Sequence, residues 1–141
     1  MKKYLIILLI LLVGCEKQKI KLDENYYNQG NYIEIKSDYL EKNNPNNYIL
    51  YVYNSFCSLE IPCETIFKKY MEKYKIDFLS INIDEYKKTN LYEKVKYAPT
   101  IIIIKNKKIY AYLDAESDED IIKYQDEQEF EKWINKYIET K

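Results

Sequence analysis

Two cysteines, Cys57 and Cys63, stand with five residues between them in "NSFCSLEIPCETIFKKYMEKY" (54–74), and Pro62 directly precedes the second. Thiols so spaced support two kinds of chemistry. They can exchange with a partner disulfide, one attacking and the other resolving, or they can close a small loop as a permanent staple. Either use requires the two Cβ atoms to approach within roughly 3.5–4.5 Å. The reactive species is the thiolate, which a helix N-terminus favours. Two placements are open. Ser58 can cap a helix whose first turn is Leu59, Glu60 and Ile61, or Pro62 can take the first helical position and put Cys63 in the electropositive turn. Glu60 and Glu64 flank the pair, and nearby carboxylates work against a thiolate. The chain has no histidine, which excludes a Cys–His or Ser–His dyad and an imidazole metal site. Only Gly14 and Gly30 are available, so no glycine-rich phosphate loop is possible. "DAESDED" (114–120) spaces its carboxylates like a calcium loop but lacks the glycine of the turn. No metal and no cofactor is expected.

The elements that must position these thiols follow from periodicity. "NYIEIKS" (31–37) alternates as a strand does, and Ser37 can cap a short helix before the turn cluster "NNPNN" (43–47). "YILYVY" (48–53) reads as a strand buried on both faces. In "ETIFKKYMEKY" (64–74), Ile66, Phe67, Tyr70, Met71 and Tyr74 fall at helical spacing. "IDFLSINI" (76–83) is a second buried strand, and "DEYKKTNLYEKVKY" (84–97) is a polar turn into a short helix. "APTIIIIK" (98–105), the turn "NKK" and "IYAYLD" (109–114) make a hairpin, and Phe130, Trp133, Ile134, Tyr137 and Ile138 line a closing helix. This order implies an α/β fold with a mixed sheet and helices on both faces. The seventeen tyrosines fall mostly on the apolar faces of these elements and are expected in the core.

The order resembles the thioredoxin fold over roughly residues 31–140. "YILYVYNSFC" is similar to that family's central strand running into its first cysteine, "PCETIFKKYMEKY" to its proline–cysteine step and long helix, and "VKYAPTIIII" (95–104) to its cis-proline segment. The resemblance implies a thioredoxin-like mixed central sheet, thiol–disulfide exchange with Cys57 attacking and Cys63 resolving, and a cis Pro99. It also implies a peptide-docking edge at Ala98 and Pro99. The sequence departs from the family in three respects. The family has two residues between its cysteines. Its reductases bury an aspartate and pair it with a lysine, where this chain has Tyr51 and Ser80. A tryptophan usually precedes the first cysteine, and here that residue is Phe56. Tyrosine, with a pKa near 10, cannot act as the missing base. These departures point to narrow or slow exchange, and a non-catalytic binding protein with a structural Cys57–Cys63 disulfide is the alternative.

The N-terminus reads as an address. Lys2 and Lys3 precede the apolar run "YLIILLILLV" (4–13), which is shorter than the roughly 20 residues of a membrane-spanning helix. "LVGC" (12–15) resembles the bacterial lipoprotein signal, which implies cleavage before Cys15 and its lipidation. The expected organisation is a signal peptide over 1–14, a lipidated flexible tether over 15–30 and a thioredoxin-like domain over 31–141. Outside the cytoplasm disulfides persist, and with Cys15 lipidated the remaining cysteines form an even pair. The formal net charge of −1 offers no basic field for nucleic acid. The expected partners are thiols and disulfides of secreted or envelope proteins, met by a lipid-anchored monomer.

Overall fold

The computed structural model of the chain describes residues 17–55 and 61–141. The segment expected to be a signal peptide, Cys15, and Phe56 to Glu60 with Cys57 among them lie outside the described residues. Five strands form one sheet in the order β1-β3-β2-β4-β5, with β1 Tyr32–Glu34, β2 Tyr48–Tyr53, β3 Phe78–Asn82, β4 Thr100–Lys105 and β5 Lys108–Tyr112. β1 and β2 run parallel to β3, while β4 is antiparallel to β2 and β5 to β4. The mixed sheet expected from the sequence is therefore present. β2 and β4 are buried on both faces over all but their last residues, as their unbroken apolar runs require.

Helices cover both faces. On one side Tyr51 of β2 meets Phe67 of α2 (Cys63–Tyr74) with ring centroids 5.4 Å apart, and Phe67 meets Phe130 of α5 (Glu127–Ile134) at 4.7 Å. On the other, Tyr48 faces Leu40 of α1 (Tyr39–Asn43) and Leu91 of a 3-10 turn across a cavity of about 290 Å³. The remaining helices, α3 (Ile83–Tyr86) and α4 (Asp118–Ile121), are single turns. The helix expected within 84–97 is broken in two, because Thr89 Oγ1 donates back to the Tyr86 carbonyl at 2.8 Å before the 3-10 turn begins at Asn90. Asp126 caps α5 by accepting from the backbone N–H groups of Gln128 and Glu129, each at 2.9 Å.

The segment from Lys17 to Gly30 is not a tether. Ile20, Leu22 and Tyr26 are buried, and Ile20 bridges to Ile138, its N–H donating to the Tyr137 carbonyl at 2.7 Å. Asp23 accepts from Asn46 N and Asn47 N, and Asp77 accepts from Gly30 N and Asn31 N at 2.8 and 2.7 Å. Polar composition suggests a free segment, but three spaced apolar residues suffice to hold it down. Gly30 is required here. Its φ is +83°, and a Cβ would lie 2.4 Å from the Met71 carbonyl oxygen.

Candidate functional site

Pro62 and Cys63 set the geometry. The proline ring fixes φ at −58° one residue before the helix, so Pro62 is the N-cap and Cys63 the first helical residue. This is the second of the two placements the sequence left open, with the proline one position earlier than its expected first helical place. The Thr65 N–H donates to the Pro62 carbonyl at 3.0 Å, and Lys75, with φ +55°, ends α2 in the left-handed region.

Cys63 is 1% exposed and sits among phenols. The Tyr51 hydroxyl lies 3.7 Å from its Sγ, within hydrogen-bond reach for sulfur. Burial first, then the neighbouring Cys63, pushes the Tyr51 phenol far up, so at neutral pH this group is an uncharged hydroxyl. Burial does the same to Tyr32, whose hydroxyl donates to the Glu64 carbonyl at 2.8 Å. A cavity of about 310 Å³ opens beside the thiol, lined by Tyr51, Tyr53, Asn54, Pro62, Cys63 and Glu64 among others.

The two positions where the sequence lacks the expected aspartate and lysine are neighbours, since Tyr51 pairs in register with Ser80 across β2 and β3. Ser80 in turn pairs with Glu34 of β1, and the three form a row across the sheet. The Glu34 carboxylate accepts from Ser80 Oγ at 2.9 Å and from the Tyr53 hydroxyl at 2.6 Å. That bond to Glu34, more than burial, pushes the Tyr53 phenol up to about 12. Glu34 is thus the carboxylate tied to this row, displaced to the edge strand, and no local signal in the sequence marks it.

The Ala98–Pro99 peptide bond is cis, the isomer that the resemblance implied. Tyr124 links this loop to the thiol. Its hydroxyl lies 3.0 Å from both the Pro99 and Leu113 carbonyls, its ring packs on Phe67 at 5.9 Å, and burial first, with Cys63 contributing, pushes its phenol up. Gln125 grips the other flank: Ile61 N–H donates to its Oε1 at 3.2 Å, and its Nε2 donates to the Ile61 carbonyl at 2.9 Å. Ile61, Ile121 and Ile122 are 43%, 38% and 47% exposed, an apolar margin on this side. Sequence reasoning misses Tyr124 and Gln125 because their partners at the thiol lie some sixty residues away along the chain. Among the described residues no cluster of acidic and cysteine side chains could hold a metal ion.

Comparison with known proteins accords with this geometry. A thioredoxin from Nicotiana alata superposes with a TM-score of 0.54 at 19% identity, covering 79% of this chain and 96% of that one. Schistosoma mansoni thioredoxin gives 0.53 at 24% identity, covering 79% and 99%. A mutant thioredoxin from Halobacterium salinarum gives 0.53 at 15%, covering 80% and 94%. At these identities the likeness concerns the fold. A search of curated proteins finds no match. The family model described as Thioredoxin matches residues 34–135, well over half of the sequence, and on that match the chain belongs to the thioredoxin family.

Proposed function

We propose that this protein exchanges thiols and disulfides with secreted or envelope proteins while anchored outside the cytoplasm by lipid on Cys15. The observation that carries the chemical reading is the position of Cys63, first residue of α2, beside the Tyr51 hydroxyl and linked through Tyr124 to the Pro99 loop. In this reading the Cys57 thiolate attacks a substrate disulfide, forming a mixed disulfide and releasing one substrate thiolate. The Cys63 sulfur then attacks Cys57, releases the second substrate thiolate and leaves the Cys57–Cys63 disulfide, so two electrons pass to the substrate. The reverse sequence oxidises a substrate dithiol. The uncharged Tyr51 hydroxyl can donate to the Cys63 sulfur as charge develops on it, stabilising the thiolate without accepting its proton, which goes to the departing substrate thiolate. Ala98 and Pro99 form the backbone edge for the incoming peptide, and the margin of Ile61, Ile121 and Ile122 suits an apolar segment of it.

The near-complete burial of Cys63 and the absence of a carboxylate at position 51 favour a second reading, a structural disulfide in a binding protein. The reduction potential of the Cys57–Cys63 pair, set by glutathione titration and read by thiol alkylation and mass, separates the two. A value between about −270 and −120 mV supports exchange, and a disulfide that resists reduction below about −300 mV supports the staple. A pair that forms no disulfide in air sinks both.

A further inference from the structure

Only Glu16 separates Cys15 from Lys17, so the chain between them spans at most about 7 Å. From Lys17 onward it is folded against the body, with the Tyr110 hydroxyl donating to the Gln18 carbonyl at 2.9 Å and Ile20 bridged to Ile138. An anchor on Cys15 would therefore bring one face of the domain directly to the membrane. That face is basic and aromatic. Lys17, Lys19, Lys132, Lys136 and Tyr137 line an open depression of about 870 Å³. Lys17 Nζ lies 5.4 Å from the Tyr137 ring centroid and 5.8 Å from that of Tyr110, and Lys105 Nζ lies 4.9 Å from that of Tyr110. Lys132 pairs with Glu129 at 2.7 Å, whereas no carboxylate of the described residues forms an ion pair with Lys17, Lys19, Lys105 or Lys136.

The rest of the molecule has the opposite sign. From Cys15 on, 22 lysines less Lys2 and Lys3 leave 20 against 23 acids. The acidic stretch 114–120 follows directly on Leu113, whose carbonyl accepts from Thr100 Oγ1 at 2.6 Å beside Pro99. The thiol lies away from the basic face. α2 and α5 run in the same direction, joined by Lys69–Glu127 and Lys73–Glu131. Those pairings set Lys132 level with Tyr74 at the far end of α2, about 16 Å along the helix from Cys63, and the Tyr70 hydroxyl reaches Asn135 just beyond at 2.9 Å.

We propose that this lysine–tyrosine face rests on an anionic phospholipid surface and turns the Cys63 end of the domain away from the membrane. The proposal rests on the lipid-anchor reading of Cys15. Each lysine near such a surface contributes roughly a fivefold gain in partitioning, and tyrosine rings favour the headgroup level. The acidic body is repelled at the same time, so the field orients the domain as well as attracting it.

The test uses full-length protein purified from bacterial membranes and reconstituted in phosphatidylcholine vesicles with or without about 30% phosphatidylglycerol. Amide hydrogen exchange is expected to slow at 17–20, 108–112 and 135–138 on the anionic vesicles alone. The protection should vanish in about 0.5 M salt and in the Lys17→Gln, Lys19→Gln, Lys132→Gln, Lys136→Gln variant, which stays anchored. Equal exchange on both vesicle types overturns the proposal. Intact mass reports the anchor separately, and protein recovered without lipid on Cys15 removes the anchor reading. Cosedimentation of that unlipidated protein with the same anionic vesicles then decides the face by itself. Binding that falls by roughly several hundredfold in the quadruple variant sustains the proposal, and no binding overturns it.

Discussion

Asp77 and Cys63 are both buried, Cys63 as the first residue of α2 and Asp77 just before β3, yet their surroundings differ in kind. The Asp77 carboxylate is saturated. Oδ1 accepts from the backbone N–H groups of Gln29, Gly30 and Asn31 at 3.3, 2.8 and 2.7 Å, and Oδ2 accepts from Asn28 Nδ2 at 3.1 Å. Cys63 meets the Tyr51 hydroxyl at 3.7 Å and opens on a cavity. A carboxylate whose acceptors are all engaged by backbone and amide donors holds architecture. A polarisable sulfur beside a cavity and a proton-bearing hydroxyl can undergo chemistry. Among the described residues the chain commits its most buried carboxylate to tying the N-terminal segment to the sheet, and it surrounds the Cys63 thiol with phenols, which cannot take up a proton near neutral pH. Exchange at Cys63 should accordingly be slower than a carboxylate-assisted reaction.

The comparison breaks most sharply at the sulfur. Cys63→Ser is expected to stop the second exchange step and trap the mixed disulfide at Cys57, lowering turnover of a model disulfide by roughly two orders of magnitude or more. Unchanged turnover would remove Cys63 from the chemistry. Asp77→Ala should do the reverse. It strands several buried donors and is expected to cost about 3 kcal/mol in urea unfolding, with the reduction potential of the cysteine pair unchanged. Tyr51→Phe removes one hydroxyl, worth about 1 kcal/mol. Resolution of the mixed disulfide is expected to slow roughly fivefold, while the urea midpoint moves little.

The smallest effect lies at Glu34. The Tyr53 phenol, at about 12 when folded, is raised above its unfolded value near 10. Its contribution to stability is therefore complete below about pH 10 and is lost as pH rises through about 12. Glu34→Gln should return the phenol toward 10, visible as earlier phenolate absorbance in an alkaline titration. An unchanged titration would mean that Glu34 does not hold Tyr53.

Much of this is legible along the chain. β2 and β4 stand out as unbroken apolar runs, and α2 as a 3.6-residue pattern beginning after Pro62, since both signals are local. Tyr51 and Ser80 are recognisable as the altered pair through the family resemblance alone, and the sheet register makes them neighbours. Glu34 sits in an ordinary alternating strand, with nothing local to mark it. Its role arises because β1 lies against β3 and brings its carboxylate to Ser80 and Tyr53. The 17–30 segment misleads because polar composition averages over Ile20, Leu22 and Tyr26, and the burial of Ile20 depends on a C-terminal segment more than a hundred residues away.

By itself, the sequence determined the order of the five strands along the chain, a long helix next to Pro62 and the exclusion of imidazole chemistry, while the structure chose Cys63 as that helix's first residue. Backbone restriction by proline, side-chain periodicity and the presence or absence of a functional group are properties of neighbouring residues or of composition. Tertiary structure alone decided the ring of phenols around the thiol, the Tyr124 and Gln125 clamps and the lysine face at Lys17. Each joins groups remote in the chain, and only the sheet order and the parallel packing of α2 against α5 bring them within reach.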